Sequence, residues 1–213
     1  MTSVTLETAR FTLRPLGGDD VDALEALHSE KVFWRYPHGR AMTPEGTTTF
    51  LERTVDHYDN YGFGLCAVVL RDSGTLAGWA GVAVPNYLPG LRPAVDVGWR
   101  LGERFWGQGY ATEAGAAWVG YGPGELELER IVSISQPENE ASHAMMMGIG
   151  VRFERRTVDP HRQGLRHAGC RLPERLRPLH ADDGHDGSNA HRLRWRRPLD
   201  EFRRTAHLAS LAR

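Results

Sequence analysis

From Ala94 to Leu101 apolar and polar residues alternate, a turn follows over Gly102 to Gln108, and a small-residue stretch runs from Tyr110 to Tyr121. Alternation with period two reads as a strand, and the stretch after the turn reads as a helix. Ala111, Ala114, Gly115, Ala116 and Ala117 would let that helix lie close to the sheet. The turn carries Gly107 and Gly109 immediately before the helix. Backbone N–H groups converging at a helix start, with no Cβ in the way, suit a pyrophosphate. A spaced glycine pair is common in ordinary turns, so the signal lies in the strand–turn–helix order. A dinucleotide fingerprint would need a third glycine where Thr112 stands, and an N-terminal first strand.

The remaining elements support an α+β chain. Arg10 to Pro15 alternates as a strand, and Asp19 or Asp20 can cap a helix bearing Val21, Leu24 and Leu27 on one face. Thr43 and Pro44 predict the start of a second helix, with Phe50, Leu51, Val55 and Tyr58 inward and a stop before Gly62. A hairpin follows, Phe63 to Leu70 and Leu76 to Val84, turning at Asp72-Ser73-Gly74. On the Ala94–Leu101 strand, Val95, Val97 and Trp99 share one face, and Asp96, Gly98 and Arg100 the other. Arg130 to Ser135 is a strand, Ala141 to Met147 a short helix, and Arg152 to Val158 a strand.

These motifs are specific in combination. Arg104-x-x-Gly107-x-Gly109 resembles the acetyl-CoA signature of the GNAT N-acetyltransferases, and Pro137-x-Asn139-x-Ala141-Ser142 resembles their second cofactor segment. The opening Glu7 to Leu16 and the run Trp106 to Ala114 are similar to the Rim-type branch, the ribosomal-protein alanine N-acetyltransferases and their kin. The likeness covers about residues 5–158. It implies a GNAT-like mixed, mostly antiparallel sheet with a splayed parallel strand pair, flanked by helices. It also implies acetyl transfer from acetyl-CoA to a primary amine, a protein N-terminus or a small molecule, by direct attack of the amine. The cofactor-binding residues it implies are Val97, Trp99 and Leu101 on the strand, Arg104, Gly107, Gln108, Gly109, Tyr110 and Ala111 in the loop, and Asn139 and Ser142 beyond. Ser142 stands where a hydroxyl could protonate the leaving thiolate, although a serine at a helix start also serves as a cap or filler. Asp96 is the candidate base, acting through water, against a bland reading as an exposed acid or a partner for Arg100. His143 could also take a proton. Trp34, Arg35 and Tyr36 either line the acceptor site or belong to the core.

The chain departs from the family in two places. After Ser142 the expected basic residue is missing, since Ala144 and Gly148 occupy that stretch; the three methionines Met145 to Met147 read as core packing. Beyond Asp159, residues 160–213 hold 12 arginines, 6 acidic residues and six of the ten histidines, whereas residues 1–159 carry 14 basic against 21 acidic. Nothing from Pro160 to Arg177 alternates, so the last strand of the sheet is expected to be missing and residues 159–213 to form a basic, poorly structured tail. A shifted reading frame or an unrelated extension would account for the change.

Composition sets the outer limits. With 40% apolar and 25% charged residues among 213, one domain with a substantial core is expected. No apolar run reaches the roughly 20 residues of a membrane span, and Met1 to Arg10 lacks a signal-peptide core. Cys66 and Cys170 are far apart and in no metal-ligand spacing. A cytoplasmic, reduced, metal-free monomer or homodimer is therefore expected, with acetyl-CoA and an amine acceptor as partners, no membrane and no nucleic acid. Two rivals stand beside this reading: a non-catalytic or defective acyl-CoA binder, and a ribosome- or nucleic-acid-associated protein using the arginine-rich tail.

Overall fold

The computed structural model describes residues 4–36, 39–88, 91, 94–128, 130–158 and 166–171. Among these, eight strands form one sheet in the order β1-β2-β3-β4-β5-β6-β8-β7. They are β1 (Leu6–Glu7), β2 (Phe11–Pro15), β3 (Leu65–Leu70), β4 (Leu76–Ala83), β5 (Val95–Leu101), β6 (Ile131–Ser135), β7 (Arg152–Val158) and β8 (Arg166–Arg171). All pairs are antiparallel except β5 with β6. The helices are α1 (Val21–His28), α2 (Pro44–Tyr61), α3 (Tyr110–Glu125) and α4 (Glu140–Gly148).

The sheet is covered on both faces because its strands alternate. Val95, Val97 and Leu101 pack with Phe11, Leu13 and the α3 residues Ala114 and Trp118. On the other side Trp79 and Ala67 meet Leu24, Leu27, Phe33, Trp34 and Leu51 from the α1–α2 layer. The small residues of α3 allow the close approach expected of them. Ala114 and Trp118 are fully buried, and a Cβ on Gly115 would come within 3.1 Å of the Ile149 side chain.

Local sequence signals set most element ends. Thr43 Oγ1 accepts the Gly46 N–H at 3.2 Å to start α2, and Gly62 closes it at a left-handed φ of 74°. Leu51 is buried and Phe50 and Tyr58 pack against the core as expected, with Thr47 and Thr54 buried beside them, but Val55 is 39% exposed. Asp20 does not cap α1 through its side chain. Its carboxylate takes a two-pronged bond from Arg14 at 2.8 and 2.7 Å and the Gly17 N–H at 2.9 Å. Burial acts to raise the Asp20 pKa, but the Arg14 fork and the Gly17 amide outweigh it and hold the carboxyl below its ordinary range.

The closing strand expected to be missing is present. β8 lies between β6 and β7, pairing Val132↔Arg171 through Ser135↔Ala168 on one edge and Arg152↔Arg171 through Val158↔Arg166 on the other. The outer edge of β6 is therefore paired, not open. Alternation failed as a signal here because a strand flanked on both edges is held by backbone hydrogen bonds, which any non-proline residue supplies. With β8 in place, an incomplete sheet no longer argues for a defective relic. The rest of the expected tail, 159–165 and 172–213, lies outside the described residues.

Candidate active site

β5 and β6 run parallel and part company after two residue pairs. The pairs are Val95↔Ile131 and Asp96↔Val132, and beyond them β5 is bonded only to β4. The Val95 N–H reaches the Arg130 carbonyl at 3.1 Å, so the backbone groups of odd-numbered residues face β6. Val97, Trp99 and Leu101 therefore turn their N–H and C=O groups toward the opening. The Val97 carbonyl accepts the Ser133 hydroxyl at 2.8 Å, and the Leu101 carbonyl accepts the Trp106 indole N–H at 2.8 Å. These bonds leave the backbone of Trp99 as the most accessible stretch of that edge.

The opening is a cleft of about 720 Å³. One wall is the edge of β5, with Trp99, Arg100 and Leu101. The glycine loop and the start of α3 form the second wall, through Trp106, Gly107, Gly109, Tyr110, Ala111 and Thr112. Gly107 and Gly109 both have left-handed φ values, 71° and 77°, which bring the turn round to start α3. No side chain caps α3, and the Glu113 N–H is bonded to the Gly109 carbonyl at 3.0 Å. The first-turn amides thus face the cleft with the positive end of the helix dipole. The third wall is the start of α4, where the Asn139 Oδ1 accepts the Ser142 N–H at 3.2 Å and both residues line the cleft.

Other expected residues lie elsewhere. Arg104 is exposed with its guanidinium 4.7 Å from the Phe105 ring, and it is not part of the cleft wall. Gln108 is turned back, its Nε2 donating to the Arg104 carbonyl at 2.9 Å, and it also lies outside the wall. Val97 is fully buried, so its contribution is backbone alone. Trp34 belongs to the core, whereas Arg35 and Tyr36 line the cleft. Met145 and Met146 are buried as expected, but Met147 is 69% exposed.

Asp96 sits at the point of divergence, outside the enclosed wall. Its Oδ2 accepts the Tyr87 hydroxyl at 3.2 Å, while Oδ1 is shut off from solvent with no partner of hydrogen-bond geometry. The residue keeps some exposed surface, yet burial of the carboxylate pushes its pKa up to about 7; Tyr87 and the nearby Ile134 amide offset this only in part. No ion pair joins it to Arg100 among the described residues.

Three contacts were not legible in the sequence. Arg10, at the start of β2, donates to the Gln108 carbonyl at 2.6 Å and to Glu113 Oε2 at 2.6 Å, with its guanidinium 4.3 Å from the centre of the Tyr110 ring. It fastens the glycine loop from about 100 residues away, and only its place in the opening segment could have flagged it. The Arg100 Nη1 donates to the carbonyls of Phe33 at 2.6 Å and Tyr36 at 2.5 Å, tying that loop to β5. The Tyr36 hydroxyl donates across the cleft to the Glu138 carbonyl at 3.1 Å. Arg10→Ala should raise the Kd for acetyl-CoA by about 10-fold, a discounted value for charge-assisted bonds at a 40% exposed side chain. Isothermal calorimetry reads this directly; an unchanged Kd would show that the loop holds its shape unaided.

The family model described as an acetyltransferase (GNAT) domain matches residues 10–152. The chain belongs to the GNAT family. Acetyl transfer from acetyl-CoA is the general reaction of GNAT proteins, so the chain is an acyltransferase by family and fold. Over 150 residues it is 28% identical to the uncharacterised N-acetyltransferase YnaD of Bacillus subtilis, covering 70% of this chain and 83% of that one. It is 30% identical over 155 residues to the FsC-acetyl coenzyme A-N(2)-transacetylase of Aspergillus fumigatus, covering 69% and 64%. A solved structure of RimL, a ribosomal L7/L12 alpha-N-protein acetyltransferase in complex with coenzyme A, superposes with a TM-score of 0.66 at 16% identity. The alignment covers 79% of this chain and 97% of RimL, a likeness of fold. Among the described residues of this GNAT chain, no helix is long and apolar enough to cross a membrane.

Proposed function

We propose that the chain binds acetyl-CoA in the cleft between β5 and β6 and acetylates a primary amine presented at Asp96. One observation carries this reading: the unpaired edge of β5 faces the uncapped N-terminus of α3 across a single cleft. The Aspergillus relative, whose name specifies acetyl coenzyme A, supports the same donor. The edge offers the Trp99 backbone, with the N–H group of Leu101, to the amides of a pantetheine arm, and the amides of Gly107, Gly109, Tyr110 and Ala111 suit a pyrophosphate. Arg104 and Gln108 act from outside, shaping the turn through the Gln108–Arg104 and Arg10–Gln108 bonds. Asn139 orders the start of α4, which places Ser142 in the cleft wall.

When bound, acetyl-CoA supplies an activated thioester carbonyl. Asp96, poised near neutrality, takes the amine proton through water, and Tyr87 fixes the orientation of its carboxylate. Ser142 holds its hydroxyl in the cleft wall, where it would hydrogen-bond the leaving sulfur, and any proton it passed on would be restored by the one the amine releases.

Two measurements test the proposal. Acetyl-CoA should raise the melting temperature by about 5–10 °C at a hundredfold excess over Kd. Ser142→Ala should lower kcat by roughly 10–100-fold with little change in the KM for acetyl-CoA. An unchanged kcat would leave Ser142 as a helix-start residue only.

A further inference from the structure

We infer that the face of β5 from Asp96 across Gly98 to Arg100 is the acceptor slot, and that it selects amines bearing a carboxylate. The inference rests on the proposed acetylation at Asp96 and specifies its substrate class. Asp96, Gly98 and Arg100 share one face of the strand, and the Cα positions of Asp96 and Arg100 lie about 13 Å apart along it. Gly98 forms the floor between them. A Cβ built on it would meet nothing within 4 Å, and the residue is partly exposed. The glycines of β4 behave differently: a Cβ on Gly78 or Gly81 would collide with the backbone of the neighbouring strand. Gly78 and Gly81 are therefore required by the sheet, whereas packing does not require glycine at position 98.

The far end of the slot gathers three cations, Arg100, Arg35 and Lys31, against two carboxylates, Glu138 and Glu140, that line the same cleft. Arg100 lines the cleft, and its Nε is buried without a partner. Its Nη1 is spent on two neutral carbonyls. Among the described residues it has no ion pair, and neither do Lys31 and Arg35. Lys31 and Arg35 line an adjoining hollow of about 310 Å³, and Arg35 belongs to both that hollow and the cleft. Arg100 stacks on Phe33, Trp34 and Trp79, so a carboxylate there takes its charge-assisted hydrogen bonds mainly from Arg35 and Lys31. A neutral amine gains no charge-assisted bond at that end.

Steady-state kinetics at saturating acetyl-CoA with two matched pairs test this. The first pair is 6-aminohexanoate against 6-aminohexanamide, whose amine and carboxyl ends can reach along the slot, and the second is Ala-Asp-Ala-amide against Ala-Asn-Ala-amide. The carboxylate member of one pair should exceed its neutral partner by about 10-fold or more in kcat/KM, mostly through KM. The favoured pair identifies the source, a free amino acid or an acidic peptide N-terminus. Arg35→Gln and Lys31→Gln should bring that ratio toward one. Gly98→Val should raise the acceptor KM by about 10-fold while the calorimetric Kd for acetyl-CoA stays within about twofold. Gly98→Ala, with less bulk, should fall between and confirms that the strand folds. Equal rates within both pairs, or a normal acceptor KM in both Gly98 variants, overturn the inference. Acetyl-CoA binding with no acetylation of any of the four amines overturns it as well. Failure of the wild type to bind acetyl-CoA instead removes the acetyltransferase reading on which it stands.

Discussion

Asp96→Asn is expected to lower kcat by about 100-fold or more, within the range of general-base contributions. It should also abolish the rise of kcat/KM with pH that wild type shows through about pH 7. Burial raises the carboxyl from 3.8 to about 7, so the base ionises across the physiological range. The same shift makes a stability prediction of definite sign. Between about pH 4 and 7 the folded protein retains a proton on Asp96 that the unfolded chain has released. The stabilisation from that proton is complete below about pH 4 and lost as pH rises through about 7. Asparagine removes this slope, and at pH 8 the variant should be more stable than wild type by about 1–2 kcal/mol, a value discounted because the residue is partly exposed. Urea melts at pH 4.5 and pH 8 check it. A variant that is slower and also less stable at pH 8 would show that Asp96 is a structural acid.

Gly109→Val should abolish the rise in melting temperature that acetyl-CoA gives the wild type. Residue 109 sits at φ 77° immediately before α3, a conformation that costs a β-branched residue about 1–3 kcal/mol. Its new Cβ would lie 3.5 Å from Arg10 Nη2, an ordinary contact, so the backbone strain and the added bulk at the helix start carry the effect. Gly107→Val separates strain from access. That residue has φ 71° but nothing within 4 Å of its Cβ position, so the added side chain has room in the protein and intrudes where a ligand would lie. Both variants should retain a cooperative melt and lose the ligand shift. Calorimetry showing wild-type affinity in both would remove the loop from the binding site.

Legibility followed the range over which each signal acts. The glycine loop, the Thr43 start and Gly62 end of α2, and the β3–β4 hairpin depend on residues within a few positions of one another, and the sequence expressed them directly. The course of α2's buried face was less legible, because Val55 and Thr54 occupy adjacent angles and only the opposing layer determines which is covered. Asp20 was read as a cap from its position, but Arg14 on β2 takes its carboxylate once the two elements meet. β8 was invisible to periodicity because two neighbouring strands hold it through its backbone.

By itself the sequence determined that a strand, a glycine turn and a small-residue helix follow one another over residues 94–121, and that a short helix begins near Ala141. Those outcomes follow from local backbone sterics and capping. The tertiary structure decided the rest. The length over which β5 and β6 stay paired sets where the cleft opens, and the enclosure of Asp96 sets its pKa. The reach of Arg10 and Arg100 across distant segments sets how the walls are held. Each of these depends on contacts between residues far apart in the chain, whose distances and dielectric surroundings exist only after the sheet and its two helical layers have packed.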